Sequence, residues 1–238
     1  MSCALFIRTY WKDIDWLRCC LRAIERHAHG FDEVAVAIPV SSKPWIARVR
    51  LPGWVRWIEV PAYADDYLGQ QVTKLHADTL VDADYIAHLD ADCLLRRAMH
   101  AGDLIRDGRP TIVTRPTVEL GRHHPWRAPT ETYLGHAVEL DYMQQPPFVY
   151  PRWLYAALRR HALERFGEPI DAYILRQPPR GYSEFNVLGA WAHRHAPDAF
   201  RFIPATDAGD AWCDWHWSWG GLPFELRAEL ESEDAAAT

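Results

Sequence analysis

The sequence has few cysteines and no long apolar run. Its five cysteines are odd in number and include no Cys-x-x-Cys pair, so reduced thiols fit better than a disulfide framework or a zinc site. No stretch approaches the about 18 consecutive apolar residues of a transmembrane helix. The first apolar run is short and meets Arg8, Lys12 and Asp13 at once, unlike a signal peptide. We therefore expect a cytoplasmic protein without a transmembrane segment.

Lysine is also scarce, since Lys12, Lys43 and Lys74 are the three in the chain. The net charge of −6 disfavours a protein that coats nucleic acid, although a local basic channel stays compatible with it. The chain is, however, rich in apolar residues. Hydrophobic residues make up 49% of its 238 residues, which is enough for a single domain with a sizeable core.

The first 116 residues alternate between strand-like and helix-like segments. Helical spacing follows Asp13 up to Gly30 and runs again from Leu68 to Leu80. Apolar runs predict strands at CALFIRTY, EVAVAIP (33–39), VRWIEVP (55–61), YIAHLD and TIVTRP (111–116). The alternation predicts an α/β fold with a Rossmann-like, mostly parallel sheet and crossover helices. Ligands of such sheets bind beyond the carboxyl ends of the strands.

The second half of the sequence is less regular. Residues 117–150 are rich in His, Pro and aromatic residues and predict a long insertion. Pro151 begins a helix that Gly167 ends, and another helix follows Ser183. RFIP (201–204) predicts a late strand, the segment 212–219 is rich in tryptophan, and a short helix closes the chain.

Acidic residues occur in Asp-x-Asp pairs at three places, and only Asp90 and Asp92 directly follow an apolar strand. In extended backbone, residues i and i+2 point to the same side, so both carboxylates would face one spot at the sheet edge. Two like charges aimed together call for a cation, and Mg²⁺ or Mn²⁺ prefers such oxygen ligands. The alternative is a turn with two solvated acids.

The segments ALFIRTY and YIAHLDADCLL resemble the nucleotide-binding half of glycosyltransferases of the GT-A fold, whose DxD motif ends a strand in this order of elements. GYSEFNVLGAWA is similar to a Ser-Glu-aromatic segment of some families with this fold. The resemblance runs from residue 4 to about 116, and more loosely to 219. It implies a nucleotide-sugar-binding half over 1–116, an acceptor-binding half over 117–222, and a terminal helix and tail over 223–238.

The same resemblance implies a metal-dependent transfer of a sugar from a nucleotide-diphosphate donor, with a UDP-sugar favoured and Mn²⁺ or Mg²⁺ as the ion. Thr9 and Tyr10 would then contact the nucleobase or ribose. Asp90 would lean towards the ribose, while Asp92 binds the metal. Lys74 lies on one helix face with Gln71, where its charge would help to bind the diphosphate. The alternative for Lys74 is a solvated polar helix face.

Glu184 follows Ser183 at a predicted helix start. We predict that it is the general base that accepts the proton of the acceptor hydroxyl, which is a poor nucleophile at neutral pH. A base favours single displacement with inversion, and retention stays open. The alternative is an acid that only stabilises the first helical turn, by about 0.3–1 kcal/mol.

The tryptophan-rich segment supplies further candidates. If it is extended, Trp215, Trp217 and Trp219 share one face and would shape the acceptor cleft, whereas His216 lies on the other face. The resemblance implies that a late histidine completes the metal shell, and His216 matches that position. The alternative is an aromatic core strand. Arg115, after the strand that follows Asp92, is an acceptor-binding candidate by analogy of fold alone.

Two other functions remain open. A sugar nucleotidyltransferase usually carries a glycine-rich loop after its first strand, and RTYWKDIDW contains no glycine. A non-catalytic carbohydrate-binding module would use a tryptophan platform but would not need an Asp-x-Asp pair at a parallel strand end. For a transferase the acceptor could be a glycan, a small molecule or a hydroxymethylated pyrimidine in DNA. The oligomeric state is also open.

Overall fold

A five-stranded sheet lies at the centre of the protein. The computed structural model describes residues 1–49 and 52–236, without the side chains of residues 122, 123 and 233–236. The strands of three or more residues are β1 (Cys3–Arg8), β2 (Glu33–Pro39), β3 (Arg56–Val60), β4 (Tyr85–Asp90), β5 (Cys93–Leu95), β6 (Arg109–Pro116), β7 (Phe148–Pro151), β8 (Arg201–Pro204) and β9 (Cys213–Trp215). Two-residue strands lie at Ala28–His29, Met99–His100, Ile105–Arg106 and Leu140–Asp141.

The helices lie mainly between these strands. Those longer than one turn are α1 (Ile14–His27), α2 (Asp66–Leu75), α3 (Arg127–Leu134), α4 (Arg152–Phe166), α5 (Ile170–Leu175), α6 (Glu184–His195) and α7 (Phe224–Ala236). One-turn helices lie at Lys43–Ile46, Ala77–Leu80 and Ala101–Leu104. None of the helices in the described ranges is both long and apolar enough to cross a lipid bilayer.

The central sheet has the order β7-β4-β1-β2-β3, in which β4, β1, β2 and β3 run parallel and β7 runs antiparallel to β4. This confirms the predicted α/β fold with a mostly parallel sheet. The register between β1 and β4 pairs Arg8 with Asp90. Parallel strands end at the same edge, so Asp90 lies beside the segment that follows β1.

Strand β1 separates two apolar layers. Ala4 and Phe6 pack into the layer that contains α2, α4 and α6, whereas Leu5 and Ile7 pack into the layer that contains α1. Successive side chains on a strand point to opposite faces, and all four of these are fully buried. Helices therefore cover both faces of the sheet, as continuous apolar strands require.

The second half contains elements that the sequence did not predict, namely α3, α5 and β7. The four residues of β7 are all buried, and the strand forms one edge of the central sheet. Its run is short and ends at Pro151, which lacks an N–H donor, so only an edge position tolerates it. Parallel pairing of β8 with β6 joins the two halves of the chain a second time.

Candidate functional site

A cleft of about 420 Å³ opens at the carboxyl ends of β1 and β4. It is bounded by α2, by the start of α6 and by the tryptophan-rich segment after β9. Nine of the residues predicted from the sequence line it together: Thr9, Tyr10, Lys74, Asp90, Asp92, Glu184, Trp215, Trp217 and Trp219. The cleft lies where ligands of parallel α/β sheets bind.

Lys74 lies at the bottom of this cleft between two carboxylates. Its Nζ donates a hydrogen bond to Glu184 Oε1 at 2.8 Å and lies 2.7 Å from Asp90 Oδ1. The ammonium also lies over the Phe185 ring, 4.6 Å from its centroid. Burial disfavours the charged lysine, but Asp90 and Glu184 outweigh it and raise the pKa of Lys74 above its ordinary value. The lysine is therefore a buried cation shared by two acids.

Helix α2 directs Lys74 inward. The Asp65 side chain accepts the Leu68 N–H at 3.2 Å and thereby caps the helix start. Gln71, one turn before Lys74, is 1% exposed, and its Oε1 has no hydrogen-bond partner among the described residues. Thr9 Oγ1 is likewise buried without a described partner. Buried polar atoms are normally paired, so both atoms are suited to a polar ligand in the cleft.

Asp92 lies in the turn that follows β4, and not in extended backbone as expected. Its Oδ2 accepts the Ser218 N–H at 2.9 Å, and its carbonyl accepts the His216 N–H at 2.9 Å. Burial first, and then the charge of Asp90, raise the pKa of Asp92 to about 7. The two acids thus share the cleft, but Asp90 contacts the lysine and Asp92 contacts the tryptophan segment.

The tryptophan segment forms one wall of the cleft. The rings of Trp215 and Trp217 stack with centroids 5.7 Å apart, and Trp219 follows at 6.4 Å from Trp217. Trp217 is 57% exposed and Trp219 81% exposed, so both rings can take a ligand. The ring of His216 packs on Trp16 with centroids 4.9 Å apart and is not among the groups that line the cleft.

The sequence reasoning missed four charged groups of the cleft: Arg8, Asp13, Asp66 and Arg180. Arg8 is buried at the end of β1 and makes a two-pronged ion pair with Asp66. Asp13 occupies the N-cap position of α1 without a capping hydrogen bond. Burial raises the pKa of Asp13 to about 6, while a hydrogen bond with the Ser218 side chain opposes this shift. A charged residue inside an apolar strand was the available signal for Arg8.

Arg180 also lines the cleft, from the turn before α6. It is exposed, its φ is +62°, and its guanidinium carbon lies 5.9 Å from the centroid of the Trp126 ring. A left-handed backbone costs a non-glycine residue roughly 1–2 kcal/mol. Strained residues of this kind cluster at functional sites.

Arg115 is not brought to the cleft. It lies on β6, and its guanidinium forms an exposed ion pair with Glu119 at 3.9 Å. Its acceptor-binding role stays a prediction, as does metal ligation by His216. Across the described side chains, no group of three or more His, Cys, Asp or Glu residues is arranged to hold a metal ion.

The sequence model of DUF6492, described as a family of unknown function, matches residues 27–194. This span contains Lys74, Asp90, Asp92 and Glu184 and ends before the tryptophan segment. A comparison with curated proteins found no match. The function therefore has to be argued from the site.

Replacement of Lys74 by Met should destabilise the fold strongly, because it leaves Asp90 and Glu184 together without their shared cation. Removing one partner of a buried ion pair costs about 3–5 kcal/mol. Lys43→Met is the matched control, since Lys43 and Glu59 form an ion pair at 2.6 Å in which both side chains are largely exposed. Its loss should stay below about 1 kcal/mol. Urea unfolding measures both variants, and equal losses would contradict a structural role for the buried cation.

Asp92→Asn should stabilise the metal-free protein more at pH 8 than at pH 5. The pKa of Asp92 is about 7 in the fold against an ordinary 3.8, so the fold binds the proton more tightly. Binding of this proton stabilises the fold relative to the unfolded chain. That stabilisation is lost as the pH rises through about 7. The gain from the amide should grow between the two pH values by an amount on the order of 1–3 kcal/mol.

Thermal unfolding in EDTA measures this difference. Asp82→Asn is the control, because the Asp82 side chain is fully exposed. A gain for Asp92→Asn that is the same at both pH values would contradict the raised pKa of Asp92.

Proposed function

The chain belongs to the DUF6492 family, and we propose that it is a metal-dependent glycosyltransferase that moves a sugar from a nucleotide-diphosphate donor to an acceptor hydroxyl. One observation carries the proposal: Asp90, Asp92 and Glu184 line the same cleft at the carboxyl edge of the parallel strands. A transferase of this kind needs acids for a metal–diphosphate and a separate base for the acceptor, and the cleft offers both. The resemblance to GT-A enzymes in the order of elements supports the same reading.

The donor set fits a hard divalent ion. Asp90 and Asp92 supply carboxylate oxygens, and the Asp13 carboxylate lines the same cleft. Mg²⁺ and similar ions take one or two carboxylates and fill their remaining positions with water and substrate phosphates. Held by Asp90 and Asp92, the ion would neutralise charge on the leaving nucleoside diphosphate.

The nucleotide would lie against the segment after β1. Thr9 and Tyr10 line the cleft there, and the Thr9 N–H donates to Ala37 O at 3.1 Å, which fixes the backbone of this segment. Thr9 Oγ1 and Gln71 Oε1 are among the buried polar atoms without described partners. A ribose hydroxyl or a nucleobase edge would satisfy them, and satisfying a buried polar atom removes a penalty of roughly 1–3 kcal/mol.

Glu184 would accept the proton of the acceptor hydroxyl. Lys74 binds its Oε1, whereas Oε2 has no hydrogen-bond partner in the described part of the chain. The lysine thus orients the carboxylate and leaves one oxygen for the acceptor. A positioned base contributes about 10²–10⁴-fold to such a proton transfer. Attack by the activated hydroxyl from the side opposite the diphosphate gives inversion at the anomeric carbon.

The aromatic wall would bind the sugar or the acceptor. Apolar faces of sugar rings pack on indole rings, and Trp217 and Trp219 present such faces at the cleft. Their rings bring large contact area with little rotamer entropy, which is typical of binding sites. A tryptophan wall alone would also serve a carbohydrate-binding module, but such a module would not need Asp90 and Asp92 at the end of a parallel strand.

UDP should stabilise the protein against heat when Mn²⁺ is present and should not do so in EDTA, because the ion and the diphosphate bind together at Asp90 and Asp92. At a ligand concentration 100 times the dissociation constant, the gain is about 2.7 kcal/mol. Asp92→Asn should abolish the shift, whereas Asp82→Asn, at an exposed Asp-x-Asp pair, should keep it. Thermal-shift assays with UDP, GDP and their sugars identify the donor. Equal stabilisation in EDTA would falsify the metal–diphosphate site.

Glu184→Gln should leave binding of the Mn²⁺–UDP pair intact and lower transfer by about 10²–10⁴-fold, because the amide cannot accept the proton. Hydrolysis of the donor by water should fall less, since water can release its proton to solvent. Release of nucleoside diphosphate from the best-binding donor, with and without acceptor sugars, measures both. The control is Glu119→Gln, an exposed acid paired with Arg115 outside the cleft. Near-normal transfer by Glu184→Gln would remove this residue from the mechanism.

A further inference from the structure

The turn before α6 holds an arginine where glycine is normally found. The Gly181 N–H donates to Pro178 O at 2.8 Å and closes a four-residue turn, Pro178 to Gly181. Pro179 fixes a negative φ at the second position, and Arg180 at the third has a φ of +62°. This combination is that of a type II turn, whose third position favours glycine or asparagine. The strained arginine is therefore not explained by the turn itself.

Arg180 also differs from the other cations of the cleft. Arg8 is held by Asp66, and Lys74 is held by Asp90 and Glu184. In the described part of the chain, Arg180 has no carboxylate at ion-pair distance, and its contact is the face of Trp126. Five carboxylates line the same cleft: Asp13, Asp66, Asp90, Asp92 and Glu184. An exposed guanidinium at an acidic cleft, and yet unpaired, is available to an anionic ligand.

Arg180 and Glu184 line the same cleft. Burial and then Glu184 raise the pKa of Tyr67 to about 12, while Lys74 and Arg180 oppose this rise. Arg180 also precedes Glu184 by four residues in the chain. It therefore lies on the side that the proposed function gives to the acceptor.

We propose that Arg180 binds an anionic group of the acceptor, so that the substrate that reaches Glu184 is a hydroxylated molecule carrying a carboxylate or a phosphate. This inference rests on the proposed function. The planar guanidinium forms two parallel hydrogen bonds with either group. Trp126, whose ring lies beneath the guanidinium, lines the cleft together with Arg180. A sugar acid or sugar phosphate has this chemistry together with the hydroxyl that transfer requires.

A nucleic-acid acceptor fits less well. Binding along a phosphate backbone needs several free cations, since each neutralised phosphate adds to the affinity. The cleft has three cations against five carboxylates, and two of the three are already paired. The net charge of the chain is −6. These observations favour a small anionic acceptor.

The variant Arg180→Gly removes the side chain and also relieves the backbone strain. A loss of binding in this variant is therefore not caused by loss of stability. The variant should melt at the same or a higher temperature than the unchanged protein. Calorimetric titrations with glucuronate, glucose 6-phosphate and glucose, in Mn²⁺ and UDP, measure acceptor binding. Arg180→Gln keeps the length of the side chain without its charge. Arg176→Gln is the control, since Arg176 is exposed, pairs with Glu168 and lies outside the cleft.

We expect at least one of the two anionic sugars to bind about 10–100-fold more tightly than glucose, the range of a charged hydrogen bond. Both Arg180 variants should lose this preference, and Arg176→Gln should keep it. Whichever of glucuronate and glucose 6-phosphate binds more tightly identifies the anionic group of the acceptor as a carboxylate or a phosphate. Binding of Mn²⁺ and UDP should be unchanged in Arg180→Gly.

Four results would overturn the proposal. These are equal binding of glucose and the anionic sugars, no measurable binding of any of the three, unchanged anion binding in Arg180→Gly, and preferential binding of single-stranded DNA. Repeating the titrations without nucleotide separates this inference from the proposed function. If UDP fails to bind the unchanged protein but the anion preference depends on Arg180, the transferase proposal is wrong and the anion site remains.

Discussion

One buried ammonium group organises the cleft. Lys74 Nζ lies within 2.8 Å of carboxylates from two separate elements, Asp90 at the end of β4 and Glu184 at the start of α6. Without a cation these acids would face each other away from water, and an unpaired buried ion costs several kcal/mol. Asp90 belongs to the first half of the chain and Glu184 to the second. The same ion pairs therefore also join the second half of the chain to the first, and α2 supplies the partner of both acids.

A second attachment joins the aromatic wall to the acidic edge. The Ser218 N–H donates to Asp92 Oδ2, the His216 N–H donates to the Asp92 carbonyl, and β9 pairs with β5 directly after Asp92. The wall therefore takes its position from the same residue that we propose as a metal ligand. A change in the charge of Asp92 first alters its hydrogen bond with the Ser218 N–H. Because Trp217 and Trp219 are the chain neighbours of Ser218, it also alters their positions. On the proposed function, one carboxylate would therefore couple metal binding to the shape of the aromatic wall.

Much of the fold and part of the site could be predicted from the sequence. Strand β2 and strand β8 have the predicted bounds, because each is a continuous apolar run between polar segments. Asp90 and Glu184 meet at one edge, as expected for groups that follow a parallel strand and begin a helix. The role of Lys74 between them could not be predicted, since its contacts join residues 110 positions apart. Asp13 and Arg180 were missed for another reason: an acid at a helix start and an arginine in a turn already have local explanations.

On the proposed function, the charges of the cleft also determine where each substrate binds. Asp13, Asp90 and Asp92 form an acidic region that repels any anion arriving without a cation. Burial first, and then the neighbouring carboxylates, raise the pKa values of Asp13 and Asp92. A diphosphate can bind there only together with a divalent ion. Lys74 pairs with both Asp90 and Glu184, which leaves Arg180 as the cation that an acceptor meets first. An anionic acceptor is therefore drawn to Arg180, on the turn before Glu184, whereas the diphosphate needs the divalent ion at Asp90 and Asp92, so one cleft can hold two negatively charged substrates.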